Sequence, residues 1–147
     1  MSLIEHKPLE RRAAPSEQGR IMLAHGGGGQ LTDELINHTI LPRLGNADLD
    51  ELLDAAEVTL VAAEVALTID SYVVQPLQFP GGDIGRLSIC GTVNDLAVTG
   101  AEPLAIALSM IVAEGFDRHL LGQILDSVRA TADEADVRVV TGDTKVV

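Results

Sequence analysis

Residues 103–140 carry three hydrophobic patterns in succession, and their order restricts the folds open to the chain. Residues 103–112 are almost continuously apolar, which predicts a central strand covered on both faces. Residues 117–136 then place Leu120, Leu121, Ile124, Leu125, Val128 and Ala132 at the spacing of an amphipathic helix. Residues 137–140 are short and β-branched, a further strand. Strand, helix and strand in this order place the chain in a class that packs helices on a sheet.

Upstream, residues 21–24 form a short apolar segment that runs into His25-Gly26-Gly27-Gly28-Gly29. Leu31, Leu35 and Ile36 then recur at helical spacing, and Pro42 is expected to stop that helix. The acidic stretch 48–54 precedes two β-like runs, 58–62 and 65–69, which read as a tight hairpin about Ala63-Glu64. Pro76, Pro80, Gly81 and Gly82 make residues 71–82 a loop. Asp83 is a candidate N-cap for a helix over 84–99, with Gly100 ending it. Leu87, Cys90, Val93, Ala97 and Val98 share one face of that helix and Ile89 and Leu96 another, so burial on more than one side is expected. Residues 1–20 are polar, contain Pro8 and Pro15, and read as a mobile leader to a folded domain over 21–147. Thr141-Gly142-Asp143-Thr144-Lys145-Val146-Val147 reads as a turn followed by the start of another element, so the sequence reads as cut at Val147. The sum is an α+β domain of four to five strands and three helices.

Composition narrows the function. The 147 residues include three aromatics, Tyr72, Phe79 and Phe116, so the core must be aliphatic and no platform exists for stacking nucleic-acid bases. Ten basic against 22 acidic side chains give a net charge of −12, which would repel a duplex over most of the surface. A phosphate ligand then needs backbone amides at a Gly-rich turn or a cation held by carboxylates. The single Cys90 forms no intrachain disulfide, and no apolar run approaches the ~20 residues of a membrane span. The first twelve residues lack a signal-peptide core, and a cytoplasmic protein that meets neither nucleic acid nor membrane is expected.

Several residues could carry chemistry. Gly26 to Gly29 suit a flexible hinge and a phosphate loop equally, although neither a P-loop nor a dinucleotide motif is present. Asp54, Asp70, Asp95 and Asp143 lie among small or apolar neighbours at element ends, where carboxylates serve as caps or as ligands. Asp70, at a strand end facing a loop, is well placed for a hard cation. Asn94 falls in the apolar arc of its helix and needs a partner there, while Asp95 shares a stripe of small residues with Ser88, Gly91, Thr92 and Thr99. A buried Asn/Asp network and a ligand site both satisfy that pattern. Cys90 has no nearby His or Cys and reads as inert; His6, His25, His38 and His119 show no zinc-ligand spacing.

Taken in order, His25-Gly26-Gly27-Gly28-Gly29, Asp54-Ala55-Ala56, Thr68-Ile69-Asp70-Ser71-Tyr72-Val73-Val74, Phe79-Pro80-Gly81-Gly82-Asp83-Ile84-Gly85, Cys90-Gly91-Thr92-Val93-Asn94-Asp95-Leu96-Ala97 and Thr141-Gly142-Asp143-Thr144-Lys145-Val146-Val147 resemble the hydrogenase maturation factor family HypE. That family is similar to the wider aminoimidazole ribonucleotide synthetase superfamily. The resemblance implies a mixed or antiparallel sheet with helices on one face, pairing into a barrel across a homodimer, and a second domain beyond this chain. It implies ATP and Mg²⁺ as cofactors, with Asp54, Asp70, Asp95 and Asp143 as metal and phosphate carboxylates. His25, Gly26, Gly27, Gly28, Gly29, Asn94 and Thr144 would contact the nucleotide, and Lys145 and Asp95 would serve the transferring phosphoryl group. Glu57 departs from the usual family wording after Asp54-Ala55-Ala56. The implied activity is dehydration of a C-terminal cysteine thiocarboxamide to a thiocyanate, through ATP-dependent phosphorylation of the amide oxygen, for the cyanide ligands of NiFe hydrogenase. The implied partners are the HypF carbamoyltransferase and the HypC–HypD complex. Two alternatives remain: a dimerisation and partner-docking module that binds little nucleotide alone, and another ATP-dependent synthetase or kinase of the same superfamily.

Overall fold

A computed structural model describes residues 19–52, 55–56, 58–60 and 64–147. All but the last two residues of the expected leader, and Asp54, lie outside the described residues.

Strands β3 (Ala105–Val112) and β4 (Arg138–Val146) pair in parallel through the intervening helix α4 (Arg118–Glu134). Parallel neighbours cannot be joined by a tight turn, so the chain must cross over, and the crossover helix supplies the cover for the sheet. Asp117 caps α4 by accepting from the Leu120 N–H at 2.9 Å, which holds its carboxyl below the usual range. Leu121, Leu125, Val128 and Ala132 of α4 share one core with Ile106 and Val112 of β3 and Val139 and Val146 of β4. That core is aliphatic, with Phe116 packed at its edge, as the composition requires.

Alternation along β3 sets its two faces. Ile106 and Val112 are buried and Leu108 and Met110 pack against the core, while Ala107, Ser109 and Ile111 are exposed on the opposite face. The expected two-sided cover is therefore corrected: one face of the strand is open. β4 continues through residues 141–146, where a turn was expected. Gly142 is there for close approach, since a Cβ at that position would lie 2.4 Å from the Leu108 carbonyl oxygen on the neighbouring strand. The register shifts once between Ile106 and Ala107, where β4 carries the extra residue Val140.

A second, antiparallel sheet pairs β1 (Gln78–Phe79) with β2 (Gly82–Asp83) across Pro80-Gly81, with Gly81 at φ +98°. This small hairpin interrupts the stretch read as loop throughout. Among the described residues, two separate two-stranded sheets stand in place of a single sheet of four to five strands. The shortfall comes from residues 58–60 and 64–74, whose β-branched character suits a strand but which no described backbone pairs into a ladder. The expected hairpin about Ala63-Glu64 falls in part on residues 61–63, outside the described residues; residues 58–60 and 64–69 join no strand among the described residues.

Helix α3 (Ile84–Ala97) buries Gly85 and Ile89 and half-buries Val93, a single stripe at four-residue spacing. Leu87, Asn94, Ala97 and Val98 are exposed, which corrects the expectation of burial on several sides. Its buried N-cap, Asp83, accepts from the Arg86 N–H at 2.9 Å. Asp83→Ala is expected to cost about 1 kcal/mol, measured as a lower urea midpoint at unchanged slope.

The Gly-rich segment opens α1 (Gln30–Leu35), which passes through a wide π turn (Ile36–Ile40) into α2 (Leu41–Leu44). Pro42 therefore does not end the helical run. It falls in the first turn of α2, directly after the π turn, where a missing N–H is tolerated.

Candidate functional site

Gly91, Thr92 and Asp95 lie three and four residues apart on one side of α3, and residues 68–72 lie against that side. Tyr72 links Asp70 to Thr92, one helical turn from Asp95, and so brings the Asp70 carboxyl close to that of Asp95. The proximity and like charge of Asp70 hold Asp95 above the usual carboxylate range, with Thr68 acting the other way. Tyr72 Oη donates to Asp70 Oδ2 at 2.9 Å and lies 3.3 Å from Thr92 Oγ1. Burial pushes the Tyr72 phenol up, and Asp70 adds to the effect. A Cβ at Gly91 would lie 2.2 Å from Tyr72 Oη, so the missing side chain is the notch that admits the ring.

Two carboxyls this close resist ionising together, and either a shared proton keeps one neutral or a cation offsets the charge of both. Their oxygens suit a hard divalent cation that keeps water or phosphate oxygens as its other ligands. Tyr72, Thr68, Thr92 and Gly91 were not singled out as site residues from the sequence. The Tyr72–Gly91 contact spans nineteen residues, and only the small-residue stripe hinted at it.

Of the other expected carboxylates, Asp143 lies outside this pair. Asp143 accepts from Lys145 Nζ at 2.6 Å, which holds its carboxyl below the usual range, and both side chains are exposed on β4 with Thr144 between them. Among the described residues no group of three His, Cys, Asp or Glu gathers as a metal site, so Asp70 and Asp95 form a pair. Asn94 is exposed, which corrects its placement in a buried arc.

The glycine run is an ordered turn. His25 is buried and its Nδ1 accepts from the Met22 N–H at 2.9 Å. A Cβ at Gly26 would lie 2.7 Å from the Val146 nitrogen, so the run abuts the end of β4. Gly28, at φ +77°, donates its N–H to Thr32 Oγ1 at 2.9 Å, and Gly29 is the N-cap of α1. A cleft of about 330 Å³ bordered by His38, Arg43, Arg118 and His119 shares no residue with the carboxylate pair.

Residues 53–147 match the family described as AIR synthase related protein, N-terminal domain. The chain belongs to this family. It is also similar to the carbamoyl dehydratase HypE of Rhodobacter capsulatus, with 47% identity over 131 residues that cover 87% of this chain and 38% of the relative. The chain thus spans about two fifths of the length of that relative. A crystal structure of the hydrogenase maturation protein HypE in complex with ATP superposes with a TM-score of 0.83 at 43% identity, covering 86% of this chain and 37% of that one. The structure of a HypE–HypF complex superposes at 0.57 with 43% identity, covering 81% and 37%. The resemblance to HypE read from the ordered motifs is borne out, and so is a fold of the AIR synthase N-terminal type. Among the described residues no helix is long and apolar enough to cross a membrane.

Proposed function

We propose that this chain is the nucleotide-binding N-terminal part of a HypE-type carbamoyl dehydratase, holding ATP through Mg²⁺. The observation that carries this reading is the placement of Asp70, through Tyr72, beside Asp95 on a chain of net charge −12. Bound Mg²⁺ would supply the positive charge that lets an acidic surface accept a triphosphate and would neutralise charge on the transferring group. Asp70 and Asp95 would hold it, and Asp54 and Asp143 are the further carboxylates the resemblance assigns. The turn of His25 and Gly26 to Gly29 would close over the phosphates, with Asn94 and Thr144 as further polar contacts. Lys145 would leave Asp143 for the transferring phosphoryl group, an exchange of one anionic partner for another. Cys90 is half-buried in α3 and is not the thiol acceptor. HypF as carbamoyl donor, HypC–HypD as recipient of the product and a cytoplasmic setting belong to the same reading. The HypE–HypF structure supports the first of these.

Calorimetric titration of ATP into the chain, with and without Mg²⁺ and alongside light scattering, tests the proposal. Micromolar, Mg²⁺-dependent binding by a dimer is expected, and no binding by a folded dimer overturns it.

A second reading is favoured by one surface. Leu67, Ile69 and Val73 are 94%, 91% and 95% exposed on the unpaired segment, an apolar row that needs a cover. A second copy of the chain would supply it, and a dimerisation and partner-docking module is what remains if ATP does not bind.

A further inference from the structure

Asp70 sits on a segment that the fold holds weakly. Residues 64–74 join no strand, and their apolar side chains Leu67, Ile69 and Val73 point away from the body. The half-buried residues are Thr68, Tyr72 and Val74, and of these Tyr72 reaches Thr92 and Asp70. Asp70 lies beside Asp95, and when both carboxyls are ionised their like charge works against that placement.

Tyr72 opposes that. Its ring lies against the backbone of α3 at Gly91, where a methyl group would come 2.2 Å from Oη and 2.7 Å from ring carbons. Its hydroxyl is engaged on both sides. It donates to Asp70 Oδ2, and it accepts from Thr92 Oγ1, since its own proton is committed to the carboxylate. Thr92 and Asp95 stand one helical turn apart, so the relay from Thr92 through Tyr72 ends with the Asp70 carboxyl beside Asp95. Phe in place of Tyr would fill the same notch and lose only the relay.

We propose that Tyr72, seated in the notch left by Gly91, is a positioning residue that fixes Asp70 beside Asp95 for cation binding. The proposal rests on the reading of Asp70 and Asp95 as a Mg²⁺ site and adds to it a device that neither carboxylate contains. Groups that orient a metal ligand commonly change metal affinity tenfold or more when removed.

The test titrates Mg²⁺ alone into the chain by calorimetry and follows amide exchange of residues 67–73. Tyr72→Phe is expected to weaken Mg²⁺ binding about tenfold, to speed exchange across the segment and to leave the melting temperature nearly unchanged. Gly91→Ala, which expels the ring, is expected to weaken binding at least as much, and the double variant to be no worse than Gly91→Ala alone because both act through one device. Tyr72→Phe also serves where Gly91→Ala fails to fold. Wild-type Mg²⁺ affinity or unchanged exchange in Tyr72→Phe, with binding lost in Asp95→Asn, overturns the positioning role and leaves the Mg²⁺ site standing. Wild-type affinity in Asp95→Asn overturns the site and the positioning role together.

Discussion

Gly85→Ala is expected to destabilise the chain by about 2 kcal/mol, measured as a lower midpoint in urea at unchanged slope. The sign is the informative part. Replacing Gly by Ala in an exposed helix interior stabilises by roughly 0.5 to 1 kcal/mol, because the backbone loses less freedom on folding. Gly85 lies in the first turn of α3, so that gain is available here too. Against it stands α4. A Cβ at Gly85 would lie 2.4 Å from the Ile124 carbonyl oxygen and 3.1 Å from a Val128 methyl. The first of these is backbone in the middle of a seventeen-residue helix and cannot rotate away. The two helices must separate, and the displaced contacts include Ile89, Leu125 and Val128 in the core. Overpacking of this kind costs about 1 to 3 kcal/mol and here falls at the upper end, since the clash is with main chain. A stabilised Gly85→Ala variant would mean that the helices do not meet at this point.

Where hydrophobic period alone determines an element, the sequence reads true. α4 is found within two residues of the expected bounds, because six apolar side chains repeat at helical spacing behind an Asp N-cap. α3 and β3 are found at nearly the expected positions for the same reason. Errors arise where a residue type has two uses. Gly142-Asp143 has the composition of a turn, yet Gly142 serves close packing of strands and Asp143 pairs with Lys145 along one. The alternation of Thr144, Lys145 and Val146 was the available sign that the strand continues. Pro42 breaks a helix interior but not a first turn, and no local pattern announces the π turn that makes it a first turn. Residues 58–60 and 64–69 differ in another way: composition gives the propensity for a strand, whereas pairing depends on a neighbouring backbone. Within the site, Asp70 and Asp95 were legible as isolated carboxylates among small residues. Their proximity, and the Tyr72 bridge between segment and helix, depend on tertiary placement. Asn94 lay on the apolar arc of the helical projection but on an uncovered side of the helix.

Asp95→Asn is expected to abolish Mg²⁺-dependent ATP binding while raising the melting temperature at neutral pH, two effects of opposite sign from one substitution. In the wild-type chain the proximity and like charge of Asp70 raise the Asp95 carboxyl above its unfolded-state value. A group raised in this way stabilises the folded chain below its unfolded value, near pH 4, and that contribution is lost as pH rises through the folded value. Once both carboxyls are ionised the pair is therefore a source of repulsion, which a bound cation would relieve. Asparagine keeps an acceptor oxygen and gains an N–H donor in place of the charge, so the variant removes the repulsion. Thermal melts across pH 3 to 8 are the check, with the gap between variant and wild type opening above about pH 4. Adding Mg²⁺ should raise the melting temperature of the wild type and leave the variant unmoved. A wild-type chain more stable than Asp95→Asn at neutral pH without metal would show that the carboxylates do not repel, and a variant that still binds Mg·ATP would remove Asp95 from the site. The expected outcome makes the pair a feature retained for ligand binding at a cost in stability, the mark of a binding site rather than of a structural network.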